Sequence, residues 1–227
     1  MLFGLEKKAL IASGITKDDL IATYVRRLDK LNQQFIHEMN HMSDPLTTAK
    51  ALFDWLWIKR PDRYASHGHY RLHHAIDSQL SKGIIAVGNC LGLTLLYNCL
   101  LQRLRIDAQA LYVENAFGIG SHVLTVLKTK ESMVDIENIL PDGFDYKGHL
   151  NDPSRTIWGD QELVADIYHS QGNECYEKGD YNEALKNYDM AIKLNPRYER
   201  ARLNKVIVLD RIGMEENSST STRKTKN

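Results

Sequence analysis

Cys90, His122 and Asp135 are far apart in the chain, yet gathered by a fold they would be a nucleophile, a base and an orienting carboxylate. A thiol attacks a carbonyl as its thiolate, a form favoured by a helix N-terminus and by a neighbouring imidazolium. Cys90 has the first of these by local sequence. Gly88 leaves room for a tight entry, Asn89 suits the N-cap, and Leu93, Leu96, Tyr97, Leu100, Leu101 and Leu104 recur at helical spacing. His122 opens a strand-like stretch just beyond Gly118 and Gly120. Asp135, on the strand expected to pair with it, can hold one imidazole nitrogen and fix the tautomer. Glu137 lies two residues on and faces the same side of a strand, and Asn138 is a further candidate for the orienting role.

Taken singly, each of these residues has a plainer use. A cysteine in an apolar segment packs as a small core residue, a strand histidine can be a satisfied core group, and an aspartate can keep a hairpin edge soluble. Their order, on one helix and then the two strands of a hairpin, favours the assembled triad. Cys99, further along the same helix, reads as core.

Two histidine groups were weighed for metal. His37-Glu38-Met39-Asn40-His41 matches the His-Glu-x-x-His pattern of zinc hydrolases. However, Leu28, Leu31, Phe35, Met39 and Met42 define the apolar stripe of that helix, which turns both histidines toward solvent. His67, His69, His73 and His74 form the densest histidine cluster, with no cysteine near them in sequence. Both groups read as polar surface, so no metal and no cofactor is expected. Trp55 and Trp57 read as core.

The elements that must position the triad follow from periodicity. Leu20, Ile21, Tyr24, Val25, Leu28, Leu31 and Phe35 predict a helix opened by Thr16 and Asp19 as a capping box. Asp44-Pro45 predicts a second start, and Pro61 a stop. A polar loop precedes a short helix at 73–80. Beyond the Cys90 helix, β-rich stretches at 108–113, 122–127 and 133–139 follow, the last two as a hairpin. Asp152-Pro153-Ser154 reads as a linker, and helical patterns return near Asp160. This order predicts an α+β core over 1–155, an all-α segment over 160–214 and a disordered tail over 215–227.

Bulk composition excludes several classes. Lys plus Arg and Asp plus Glu number 29 each in 227 residues, so no net charge draws the chain to nucleic acid. Three cysteines without close pairing suggest free thiols in a reducing compartment. No apolar run approaches the roughly 18 residues of a membrane span, and Glu6, Lys7 and Lys8 interrupt any leader-like start. A cytoplasmic protein with no membrane and no nucleic-acid partner is expected.

Two resemblances sharpen the picture. Gly88-Asn89-Cys90-Leu91-Gly92-Leu93, the later Gln102-Arg103-Leu104, Ser121-His122 and Val134-Asp135-Ile136 resemble the transglutaminase-like superfamily, in the branch where this papain-like core precedes tetratricopeptide (TPR) repeats. The likeness covers roughly residues 45–150. It implies Cys90 as nucleophile, His122 as base and Asp135 as orienting carboxylate, although Leu91 stands where transglutaminases carry tryptophan. The second lies at the C-terminal end, where Tyr168, Gly172, Tyr181, Ala184, Tyr188, Ala191 and Pro196 resemble one TPR, followed by half of another. It implies a protein or peptide partner. Together these imply a thiol-dependent acyl-bond enzyme, with a non-catalytic adaptor of the same fold as the alternative.

Overall fold

The computed structural model describes residues 4–39, 44–81, 83, 86–118, 120–129 and 132–224, with side chains described as far as 214. Its packing separates two units, Met1–Leu163 and Val164–Asn227, divided within a helix.

In the first unit five helices precede a sheet: α1 (Gly4–Ala12), α2 (Asp18–Glu38), α3 (Pro45–Lys59), α4 (Leu72–Leu80) and α5 (Cys90–Arg103). Strands β1 (Ala108–Ala116), β2 (Gly120–Lys128), β3 (Met133–Ile136) and β4 (Thr156–Trp158) form a four-stranded antiparallel sheet in the order β3-β2-β1-β4. Every residue of α5 from Leu91 to Leu101 is buried. A helix without a polar face belongs inside a core, and α5 packs on β2 and β1 with α1, α2 and α4 around it.

Polar side chains fix how α5 lies on β2. Thr125 Oγ1 donates to Asn98 Oδ1 (2.6 Å), and Asn138 Nδ2 donates to the hydroxyls of Thr125 (2.9 Å) and Thr94 (3.2 Å). All four are buried, and buried polar groups hold position because any shift leaves one of them unpaired. At the far end of α5, Arg103 donates to Glu6 of α1 (2.6 Å) and pairs with Asp29 of α2. The helix that begins with Cys90 is therefore held at both ends.

Several expectations are realised locally. Asp44 Oδ1 accepts from the Leu46 and Thr47 N–H groups, and Pro45 is the first residue of α3. α2 differs: it starts at Asp18 behind Lys17 without a side-chain cap, so Thr16 and Asp19 make no capping box. β3 stops at Ile136 instead of continuing to 139, because the Glu137 N–H turns to the Gly143 carbonyl (2.8 Å). β4 lies just beyond the predicted linker, where Trp158 stacks on Tyr112 of β1 at 4.2 Å.

The second unit consists of most of α6 (Asp160–Glu177), then α7 (Tyr181–Leu194) and α8 (Glu199–Lys224). Tyr188, Ala184 and Val208 form its centre, with Cys175, Tyr176, Tyr181, Leu185 and Ile212 packed against them. A Cβ on Gly172 would stand 2.4 Å from the Tyr188 ring, so α6 and α7 cross where only glycine fits. Gly179, at φ +77°, makes the turn between them. α8 runs to Lys224, so residues 215–224 are helical where a disordered tail was expected. Extending a formed helix needs no new nucleus, and composition alone misses that. No helix among the described residues is long and apolar enough to cross a membrane.

Candidate functional site

Cys90 is the first residue of α5 and is half-buried. Asn89 caps the helix, its Oδ1 accepting from the Gly92 N–H at 3.0 Å. The preceding loop is laced to this helix start. The Arg63 carbonyl accepts from Val87 N–H (2.8 Å) and Gly88 N–H (3.1 Å), and Ala65 N–H donates to the Gly88 carbonyl (3.0 Å). The His69 carbonyl approaches so closely that a Cβ on Gly92 would sit 2.3 Å from it. Gly88 and Gly92 thus let a loop backbone close over the first turn of the helix. Tyr64 lies in the same loop, and its hydroxyl pKa is raised by burial, then by the charges of Cys90 and Glu137.

His122 reaches this point from the start of β2 and is buried, with its side chain hydrogen-bonded to Glu137 and electrostatically coupled to Cys90. The Nε2 to Glu137 Oε2 distance is 2.8 Å. Burial alone would pull the imidazole pKa down, but the bonds to Cys90 and Glu137, and then their charges, raise it from 6.5 to about 10. Burial pushes the Glu137 carboxyl up, yet the His122 and His149 rings outweigh it and leave the pKa lowered.

The carboxylate at His122 is therefore Glu137, and Asp135 is placed elsewhere. The hairpin register explains why. Asp135 stands opposite Val126, four residues along β2 from His122. At about 3.4 Å per residue that is roughly 14 Å, beyond the reach of an aspartate. Glu137 lies two residues nearer the His122 end and has a longer side chain. Its position depends on Gly143, where a Cβ would fall 2.0 Å from the Glu137 carbonyl. Asp135 is buried and accepts from Arg155 Nη1 (2.6 Å) and Nη2 (3.2 Å). Arg155 Nη1 also donates to the His149 carbonyl (3.0 Å), so Asp135 anchors the segment carrying His149. Asn138, the other candidate, is spent in the network between α5 and β2.

Sequence reasoning passed over His149, Tyr64 and Arg155. Arg155 had a signal: an aspartate on a buried strand requires a cation or several donors. His149 had none, since only the closing of the chain after Gly143 brings it to Glu137. Of the weighed metal groups, Glu38 is engaged by Trp55 Nε1 (2.9 Å) and Lys59 (2.7 Å), His37 is exposed, and His41 lies outside the described residues. In the histidine-rich stretch, His67 of the loop bonds to Ser66 (2.8 Å), and burial pulls the pKa of His73, in α4, down to about 4.

The second unit carries its own recess of about 260 Å³, lined by Asn173, Tyr176, Glu177, Tyr188, Asn204 and Ile207. Asn173 Oδ1 accepts from Tyr188 Oη and from Asn204 Nδ2, both at 2.8 Å, which ties α6, α7 and α8 together around it. Residues 172–205 match the TPR repeat family. TPR repeats commonly mediate protein–protein contacts, and this match is where the second resemblance is met. No transglutaminase-like family match accompanies it. Over 52 residues the chain is 40% identical to an uncharacterized protein of Methanocaldococcus jannaschii, a stretch covering 23% of this chain and 60% of that one. The chain thus spans less than two thirds of that relative's length. No solved structure matches.

Proposed function

We propose that this chain is a thiol-dependent acyl-bond enzyme, an amide hydrolase or acyl transferase, with a TPR segment that contacts a protein or peptide partner. The observation that carries this reading is the buried His122 side chain, hydrogen-bonded to Glu137 and electrostatically coupled to Cys90 at the start of α5. In this scheme the Cys90 sulfur attacks the acyl carbon, and the bond to the leaving group breaks. His122 delivers its proton to that leaving group, giving a thioester on Cys90. Water or an amine, losing a proton to His122, then releases the acyl group and regenerates the thiol. Glu137 orients the ring and stabilises its cationic form, the role expected of Asp135. The Cys90 N–H at the helix N-terminus is a donor for the developing oxyanion.

Incubation of the full chain with an activated aryl ester, followed by peptide mass spectrometry, tests this. The expected result is acylation of Cys90 that is lost in Cys90→Ser and strongly slowed in His122→Ala. Acylation spread evenly over surface nucleophiles, with Cys90 unlabelled, would leave the second reading. That reading, favoured by the TPR match, is a non-catalytic adaptor whose first unit serves as scaffold.

A further inference from the structure

The His149 ring is a buried titratable group at the site that the scheme above does not use. It is buried, and its Nε2 has no hydrogen-bond partner. The nearest charge is Glu137 Oε2 at 3.5 Å, too long for a good hydrogen bond. The same oxygen is 2.8 Å from His122 Nε2. One ligand atom from each of His122, Glu137 and His149 lies within 4.8 Å of the others, and all three residues are buried. A buried imidazole nitrogen left unpaired is costly, and here it faces a carboxylate oxygen and a second imidazole.

We propose that His122, Glu137 and His149 form a binding site for a divalent transition metal of the zinc type. Two imidazoles and one carboxylate are a zinc donor set. With metal–ligand bonds of about 2.0–2.2 Å, tetrahedral geometry sets donors about 3.4 Å apart. The His149 to Glu137 separation of 3.5 Å already meets that spacing. His122 must retreat from Glu137 by a few tenths of an ångström. Phe117 (5.1 Å) and Tyr146 (5.2 Å) stand against the His149 ring and supply the apolar surround that strengthens such sites. The Asp135–Arg155 pair, through the His149 carbonyl, fixes the third ligand.

The His122 Nε2 that faces Glu137 is the nitrogen a metal would take.

Equilibrium dialysis of the full chain against zinc alone, read by elemental analysis, tests binding. Stoichiometric zinc is expected, with affinity at least about tenfold lower in both His149→Gln and Glu137→Gln, since even outer-shell losses cost about 10–100-fold. Should either variant fail to fold, a zinc-dependent rise in the melting temperature of Cys90→Ser still reads binding without the thiol. Absence of bound zinc, or zinc retained in folded His149→Gln, overturns the site.

Discussion

His122 is buried beside Glu137, and its environment holds its proton unusually tightly. Its folded-state pKa of about 10 lies above the usual 6.5. Its stabilising effect is therefore complete below about pH 6.5 and is lost as pH rises through about 10. Imidazole resonances followed by NMR should show this ring still protonated at about pH 8, where an ordinary histidine is neutral. Cys90→Ser and Glu137→Gln should each lower its midpoint, while a ring that titrates normally in the unmodified chain would contradict the arrangement. Asp135→Asn should behave differently. It leaves Arg155 without its carboxylate, so the melting temperature falls, but the His122 midpoint stays raised. At this scale the residue types were legible in the sequence, and so were Cys90 as a helix start and His122 as a strand start. The choice between Asp135 and Glu137 was not, because both face the same side of an ideal strand. Register and the early end of β3 decide between them, and neither is a local property.

Elements are placed by a few backbone contacts that tolerate no side chain. Gly143→Ala would drive a methyl against the Glu137 carbonyl, which lies 2.0 Å from the ideal Cβ position. Overpacking of this kind costs about 1–3 kcal/mol, and the variant should also lower the His122 midpoint by displacing Glu137. Gly172→Ala should cost a similar amount through the Tyr188 ring, whereas Gly213→Ala, with open space around it, should leave stability equal or higher by about 0.5–1 kcal/mol. Urea melts of the three variants measure these effects. Equal stability for Gly143→Ala and Gly213→Ala would mean that the turn after β3 is misjudged. The Gly172 crossing was visible beforehand in the spacing of Gly172, Ala184 and Tyr188. The Gly143 turn was not, since a lone glycine in a polar stretch looks like any loop. β4 was missed for a related reason: three residues are too few for a period to show.

At the scale of the molecule, the sequence pattern predicts an α+β part followed by an all-α part, and the structure packs as two units divided at Leu163–Val164. The helix-then-hairpin order places a thiol from a helix start beside a histidine from a strand start, and the central claim is that this pairing makes Cys90 a nucleophile. The three cysteines supply an internal comparison. Cys99 is buried, which pushes its thiol pKa well up. The Cys175 thiol is raised by burial and then by nearby acidic residues. Iodoacetamide labelling of the full chain over a pH series, read cysteine by cysteine by mass spectrometry, tests the claim most directly. Cys90 should label before the other two, and His122→Ala should slow it. If Cys90 labels no faster than Cys99, or is indifferent to His122→Ala, the pairing does not activate the thiol and the enzyme reading is wrong.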